Sequence, residues 1–188
     1  ARLTPSGALE PSFDPNVSDW VGSIALQPDG KMLIGGGFLA LQPNGASSST
    51  SRQCIARLNA DGTVDSGFDP MPDNSVFNIL LQPDGKILLG GVFTTLRPNG
   101  APAQIPRSRI ARLAADGSLD LSFDPSANSD VISIARQPNG QILIGGAFST
   151  LKPNGAVSTI SKPYLARLNT DGTVDETFDP RPNNRVYS

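Results

Sequence analysis

An eighteen-residue stretch, VFNILLQPDGKILLGGVF at Val76–Phe93, returns in two further versions along the chain. They read VGSIALQPDGKMLIGGGF at Val21–Phe38 and VISIARQPNGQILIGGAF at Val131–Phe148, a spacing of 55 residues each time. The other landmarks keep the same step. ARL begins at Ala1, Ala56, Ala111 and Ala166, and FDP at Phe13, Phe68, Phe123 and Phe178. QPDG or QPNG begins at Gln27, Gln82 and Gln137, and PNGA at Pro43, Pro98 and Pro153. A period of this size, held without insertion, restricts the chain to a repeat architecture in which like units stack. The units are a partial one at 1–20, full ones at 21–75, 76–130 and 131–185, and the start of another at 186–188. That makes about 3.4 repeats in one array.

Each unit reads as four antiparallel strands. Val76–Gln82 and Lys86–Phe93 flank the Pro83-Asp84-Gly85 turn, where Pro sets φ and Gly supplies the positive φ. A third strand is expected near Ile110–Leu113 and a fourth near Leu119–Phe123, joined by the Ala115-Asp116-Gly117 turn. The apolar runs are nearly continuous, so both faces of the hairpin strands are expected to be buried. No stretch holds an apolar period of 3.6, and no substantial helix is expected. Gly and Pro, 19 and 17 of 188 residues, supply the many turns. Four-stranded units buried on both faces and repeated are what β-propeller blades require. The fold class is therefore all-β, with propeller-type blades in an open arc or in part of a larger propeller. Seven of the eight Phe residues recur at two repeat positions and read as packing layers between units. The paired glycines, as at Gly90-Gly91, read as bulges or close backbone approaches and not as a phosphate loop, because no helix follows.

The inventory limits the chemistry. The chain has no His, which removes histidine triads and histidine metal sites. The lone Cys54 has no internal disulfide partner. Glu10 and Glu176 are the only glutamates; Glu10 stands at a position that is Asp in the other units, and Glu176 at one that is Ser66 and Leu121 in the full units before it. Carboxylate-pair hydrolysis is the remaining enzymatic reading and is ranked third. No catalytic residue, cofactor or metal site is assigned, and the chain is read as a non-enzyme. Calcium at Asn59–Asp65 is weighed against turn chemistry, which is favoured because the Asn59 position is Thr4 and Ala114 in two other units and the Asp61 position is Ser6 in one. A net charge of −2 gives no reason to expect nucleic acid, and no segment is apolar enough for membrane insertion.

Two sets of side chains stand out. Counting across the third turn places Arg57 opposite Asp65, Arg112 opposite Asp120, Arg167 opposite Asp175 and Arg2 opposite Glu10. These are expected to be structural pairs, since an unpaired charge between packed units is costly. The tight turns are expected at one edge of the array and the long connections at the other. The long loops vary in their second half but keep a cation at Arg52, Arg107 and Lys162, so these three are candidate interaction residues. Trp20 is a fourth candidate, because its counterparts are Ser75, Asp130 and Arg185 and the repeated core does not demand the ring. Asn16-Val17-Ser18 is a single glycosylation sequon, relevant only in a secretory pathway that glycosylates.

ARLNADGTVDSGFDP followed by VFNILLQPDGKILLGGVF resembles the delta-60 repeat family, and the likeness covers nearly the whole chain. It departs in FDP, where that family commonly ends in Phe-Gly, and in the long PNGA loop. The resemblance implies a β-propeller-like fold and a large bacterial protein that is extracellular or at the cell surface. It implies no catalytic residues. The expected function is a structural or adhesive repeat module of such an assembly, as a filament subunit or segment. The alternative is a propeller that binds a carbohydrate or protein ligand through its long-loop face. The partner is expected to be another copy or further repeats of a longer chain, with a glycan or protein ligand in the alternative reading. The chain starts at a third strand and stops as a new hairpin begins, so a working state other than the free monomer is expected.

Overall fold

The structure is a computed structural model and describes residues 1–188. Each full unit holds five strands. The first has β1 (Val21–Leu26), β2 (Met32–Gly36), β3 (Ala40–Leu41), β4 (Thr50–Ser51) and β5 (Ile55–Leu58). The second has β6 (Val76–Leu81), β7 (Ile87–Gly91), β8 (Thr95–Leu96), β9 (Ile105–Pro106) and β10 (Ile110–Leu113). The third has β11 (Val131–Arg136), β12 (Ile142–Gly146), β13 (Thr150–Leu151), β14 (Ile160–Ser161) and β15 (Leu165–Leu168). The main sheets are antiparallel, in the orders β1-β2-β5, β6-β7-β10 and β11-β12-β15. The chain is an all-β array of propeller-type blades whose sheets are not closed into a ring. The 3-10 turns at Pro43–Gly45, Pro98–Gly100 and Pro153–Gly155 are its only helical elements.

The fourth strand is shorter than the sequence suggests. It is a single bridge in each unit: Leu58 to Val64, Leu113 to Leu119, Leu168 to Val174. The acid that follows ends the ladder at once. Asp120 Oδ1 accepts from both the Ser122 N–H and the Ser122 hydroxyl, and this local turn competes with strand extension. The sequence reading also missed the short ladders that β3 and β4, β8 and β9, and β13 and β14 make within each long loop.

The cores lie between units and not inside them. Leu33, Ile55 and Phe68 of the first full unit share one cluster with Val76, Ile79 and Leu89 of the second. Leu88, Ile110 and Phe123 of the second share another with Val131, Ile134 and Ile144 of the third. A unit alone would leave half of such a core in water, so stability is a property of neighbours. The first strands of successive units, β1, β6 and β11, lie side by side at the inner edge of the array. The second strands are buried on both faces, as in β7, where all five residues are buried. The first strands, each at the edge of its sheet, are only half-buried, as in β6.

The paired glycines answer two different needs. A Cβ on Gly91 would lie 2.1 Å from the carbonyl oxygen of Ser75, the residue just before β6. A Cβ on Gly90 would lie 2.9 Å from Val131 Cγ1 of the next unit. The strand opposite is bulged as well: Val76 pairs with Gly91 and Asn78 with Gly90, leaving Phe77 as the extra residue. The same shift makes Gly22 and Ile132 the extra residues of β1 and β11.

Candidate interaction surfaces

The unit junction is built around one arginine. Arg57 Nε donates to Asp65 Oδ2 at 2.8 Å, its guanidinium lies 4.6 Å from the Phe68 ring centroid, and Nη1 donates to the Ala115 carbonyl at 2.5 Å. Asp65 and Phe68 belong to the same unit, but Ala115 sits in the ADG turn of the next. Arg112 repeats the set with Asp120, Phe123 and the Thr170 carbonyl. Arg2 repeats it with Glu10, Phe13 and the Ala60 carbonyl. Arg167 keeps Asp175 and Phe178. The rings close the contact from the other side: a Cβ on Gly117 would meet Phe68 at 2.9 Å, so the turn must be glycine for the Phe to pack on it. Burial opposes ionisation of Asp65, but hydrogen bonds from Lys31, the Gly67 N–H and Arg57 outweigh it and hold the carboxyl down to about 2. At Asp175 the Thr177 hydroxyl is the largest of the influences that hold it at about 2.

Arg52, Arg107 and Lys162 require a correction. Expected at exposed loop tips, they are 9%, 6% and 4% exposed. Arg107 donates to the Pro106, Asp120 and Leu121 carbonyls and lies 3.7 Å from Asp124 Oδ2. Lys162 donates to the Glu176 and Phe178 carbonyls. The reason is the shortened fourth strand: its carbonyls have no ladder partner, and the loop cation turns inward to supply donors. Burial pushes Asp69 and Asp124 above the ordinary carboxylate value, against the pull of Arg52 and Arg107 respectively.

The long loops do not stand clear of the tight turns either. Asn99, in the left-handed region at φ 51°, accepts from the Asp69 N–H of the preceding unit. Its amide donates to the Asp116 carbonyl of the ADG turn in its own unit. Asn44 and Asn154 do the same. The PNG turns are thus staples that fold each loop back across the unit.

Trp20 is 44% exposed and sits at the inner edge of the array. Its indole rests on two glycines: a Cβ on Gly22 would fall 2.7 Å from the ring, and one on Gly37 would fall 2.4 Å from Nε1. The counterparts of Gly22 are Phe77 and Ile132, and those of Gly37 are Val92 and Ala147. Only this unit leaves room for a ring to lie down, a signal present in the sequence but missed there. The indole faces Phe77 of the second full unit, with centroids 5.9 Å apart and planes tilted by 32°.

Other candidates resolve into local structure. Asp61 Oδ1 accepts from the Thr63 N–H and hydroxyl, and Asn59 bonds the same hydroxyl, so the calcium-like segment is a hydrogen-bonded turn. Cys54 is buried at φ 59°, and burial together with the Asp73 charge pushes its thiol up to about 11. No group of three or more His, Cys, Asp or Glu side chains is placed to hold a metal. No helix is long and apolar enough to cross a membrane.

Residues 27–68, 82–123 and 137–178 each match the family described as "Domain of unknown function (DUF5122) beta-propeller". The chain belongs to this family. Each DUF5122 match runs from a QPDG or QPNG turn to the Phe of FDP, so it contains the second strand, the long loop, the third strand and the junction arginine. Trp20, Gly22, Phe77 and Asn78 lie outside the DUF5122 matches. No curated protein is similar to the chain. Among solved structures, the WD40 β-propeller domain of Doa1 aligns at a TM-score of 0.30 and 14% identity. That alignment covers 82% of this chain and 74% of the other, a superposition too loose to bear on the arrangement of units.

Proposed function

We propose that this DUF5122 array is a non-enzymatic structural or adhesive repeat module of a bacterial cell-surface or secreted assembly, of the delta-60 type. The observation that carries this reading is the junction. One set of contacts, from Arg to an acid, a Phe and a carbonyl of the next unit, recurs at three successive junctions. Units joined only through like contacts accept a further like unit in the same way. The first full unit presents such a surface. Val21 and Ile24 are 37% and 65% exposed, whereas Val76, Val131, Ile79 and Ile134 are at most 8% exposed against the unit before them. An apolar face of this kind favours association with another copy or with further repeats. Light scattering on the 188-residue chain across micromolar concentrations tests the reading. Concentration-dependent growth, suppressed by Ile24→Lys with an unchanged circular dichroism spectrum, is the expected result. A monomer at every concentration would overturn it.

A further inference from the structure

The inner edge of the array holds an open cavity of about 500 Å³ lined by Trp20, Gly22, Phe77, Asn78, Ile132 and Tyr187. Gly22, Phe77, Ile132 and Tyr187 occupy one repeat position, of which the first three are the bulge residues of β1, β6 and β11, so the cavity follows that position across the units. We infer that this cavity is a binding site for a neutral pyranose ring of a glycan.

Three observations point to that chemistry. The indole of Trp20 lies flat because Gly22 and Gly37 leave it room, and with Phe77 tilted beside it the pair makes an apolar platform. A pyranose presents a face of C–H groups that matches such a platform, as other apolar rings do. None of the lining side chains carries a charge, so an acidic or phosphorylated ligand would enter without a counter-charge and at a high desolvation cost. Asn78 stands where the neighbouring units have Ser23 and Ser133, and its side-chain amide makes no hydrogen bond within the chain. A half-buried amide offers one acceptor and two donors, which a pair of sugar hydroxyls can satisfy together. The aromatic side chain of a peptide would fill the apolar part and leave that amide unpaired. The volume is within the usual range for small-ligand sites and suits one or two hexose rings.

The inference is separate from the assembly reading, which scattering tests. Trp20 is the only tryptophan, so its intrinsic fluorescence reads this cavity alone. The 188-residue chain is titrated with cellotetraose, mannotetraose and chitotetraose at millimolar concentration, and with a galacturonate tetramer for comparison. A saturable fluorescence change with at least one neutral tetramer is expected. Asn78→Ala is expected to weaken it by about tenfold or more, with thermal unfolding unchanged, and the uronate to bind at least about tenfold more weakly than the neutral sugar. No saturable change with any neutral tetramer would overturn the inference. So would full binding by the Asn78→Ala chain, or equal binding of the uronate.

Discussion

Replacing Arg57 by Met removes three contacts at once, and their sizes can be set out separately. The Arg57–Asp65 pair is 2.8 Å long, with side chains 11% and 13% exposed. Breaking a buried pair costs about 3–5 kcal/mol when the stranded charge has no other partner. Asp65 keeps Lys31 Nζ at 2.7 Å and the Gly67 N–H at 3.0 Å, which reduces this share to about 1 kcal/mol. The charge-assisted hydrogen bond to the Ala115 carbonyl across the junction contributes about 1.5 kcal/mol. The stacked position over Phe68 contributes about 0.5 kcal/mol. Met preserves the packing of the aliphatic stem, so the expected loss is about 3 kcal/mol. Asp65→Asn made in the same chain removes the stranded charge, and the double variant is expected to be more stable than the sum of the single effects by about 1 kcal/mol. Urea denaturation followed by circular dichroism gives the four stabilities, provided the slopes agree. Arg167→Met in an Asp175→Asn chain, compared with Arg57→Met in the Asp65→Asn chain, is an internal control. The Asn changes are needed because Asp175 has Gln141 where Asp65 has Lys31 and would otherwise be left charged without a cation. Arg167 keeps its acid and its ring but donates to no carbonyl of a following unit, so its loss is expected to be smaller by about 1.5 kcal/mol. Additive effects of the Arg57 and Asp65 changes would refute the pairing. Equal costs for the two Arg→Met changes in these Asn backgrounds would refute the role assigned to the junction carbonyl.

Gly91→Ala drives a Cβ to 2.1 Å from a backbone carbonyl and is expected to abolish cooperative thermal unfolding. Gly90→Ala meets mainly the ends of Val131 and Ile134, which can move, and is expected to lower stability by about 2 kcal/mol in the same melts. Asp65 and Asp175, held at about 2, bind protons more readily unfolded than folded. The stability they supply is complete above the ordinary carboxylate value near 4 and is lost as pH falls toward 2. Asp69 and Asp124, raised by burial, act in the opposite direction, so Asp69→Asn is expected to leave neutral-pH stability unchanged or slightly higher.

Most of the fold was legible because the repeat states it three times. The 55-residue period, the two tight turns and the hairpin runs place β6, β7 and β10 within a residue or two of their observed ends. The cross-strand position of Arg57 and Asp65 follows from counting across a short turn, where chain geometry leaves little choice. Two of the failures share a physical cause. The inward turn of Arg107 and the stapling by Asn99 depend on hydrogen bonds between segments about 13 to 30 residues apart, whereas the fourth strand is cut short by the local Asp120–Ser122 turn. Residue type and local period carry no record of such contacts. A cation on a variable polar loop reads as solvated, and only the carbonyls of Asp120 and Leu121, which have no partner in a strand ladder, decide that it is buried.

Internal comparison was informative about function where one unit departs from the other two. Arg52, Arg107 and Lys162 recur in every unit, and the structure gives every one of them the same buried task. Trp20, Gly22 and Gly37 do not recur. They depart from the repeat together, at positions separated in sequence but touching in space. A large ring added alone at position 20 would collide with the side chains that the other units carry at positions 22 and 37. Two glycines gained alone would open a gap at the inner edge and loosen β1. Each change is intelligible only with the others, and their joint product is a flat aromatic surface facing the cavity at the inner edge. In a chain of near-identical units, recurrence therefore marks what holds the array together. Coordinated departure from it marks where one unit has been given something else to do.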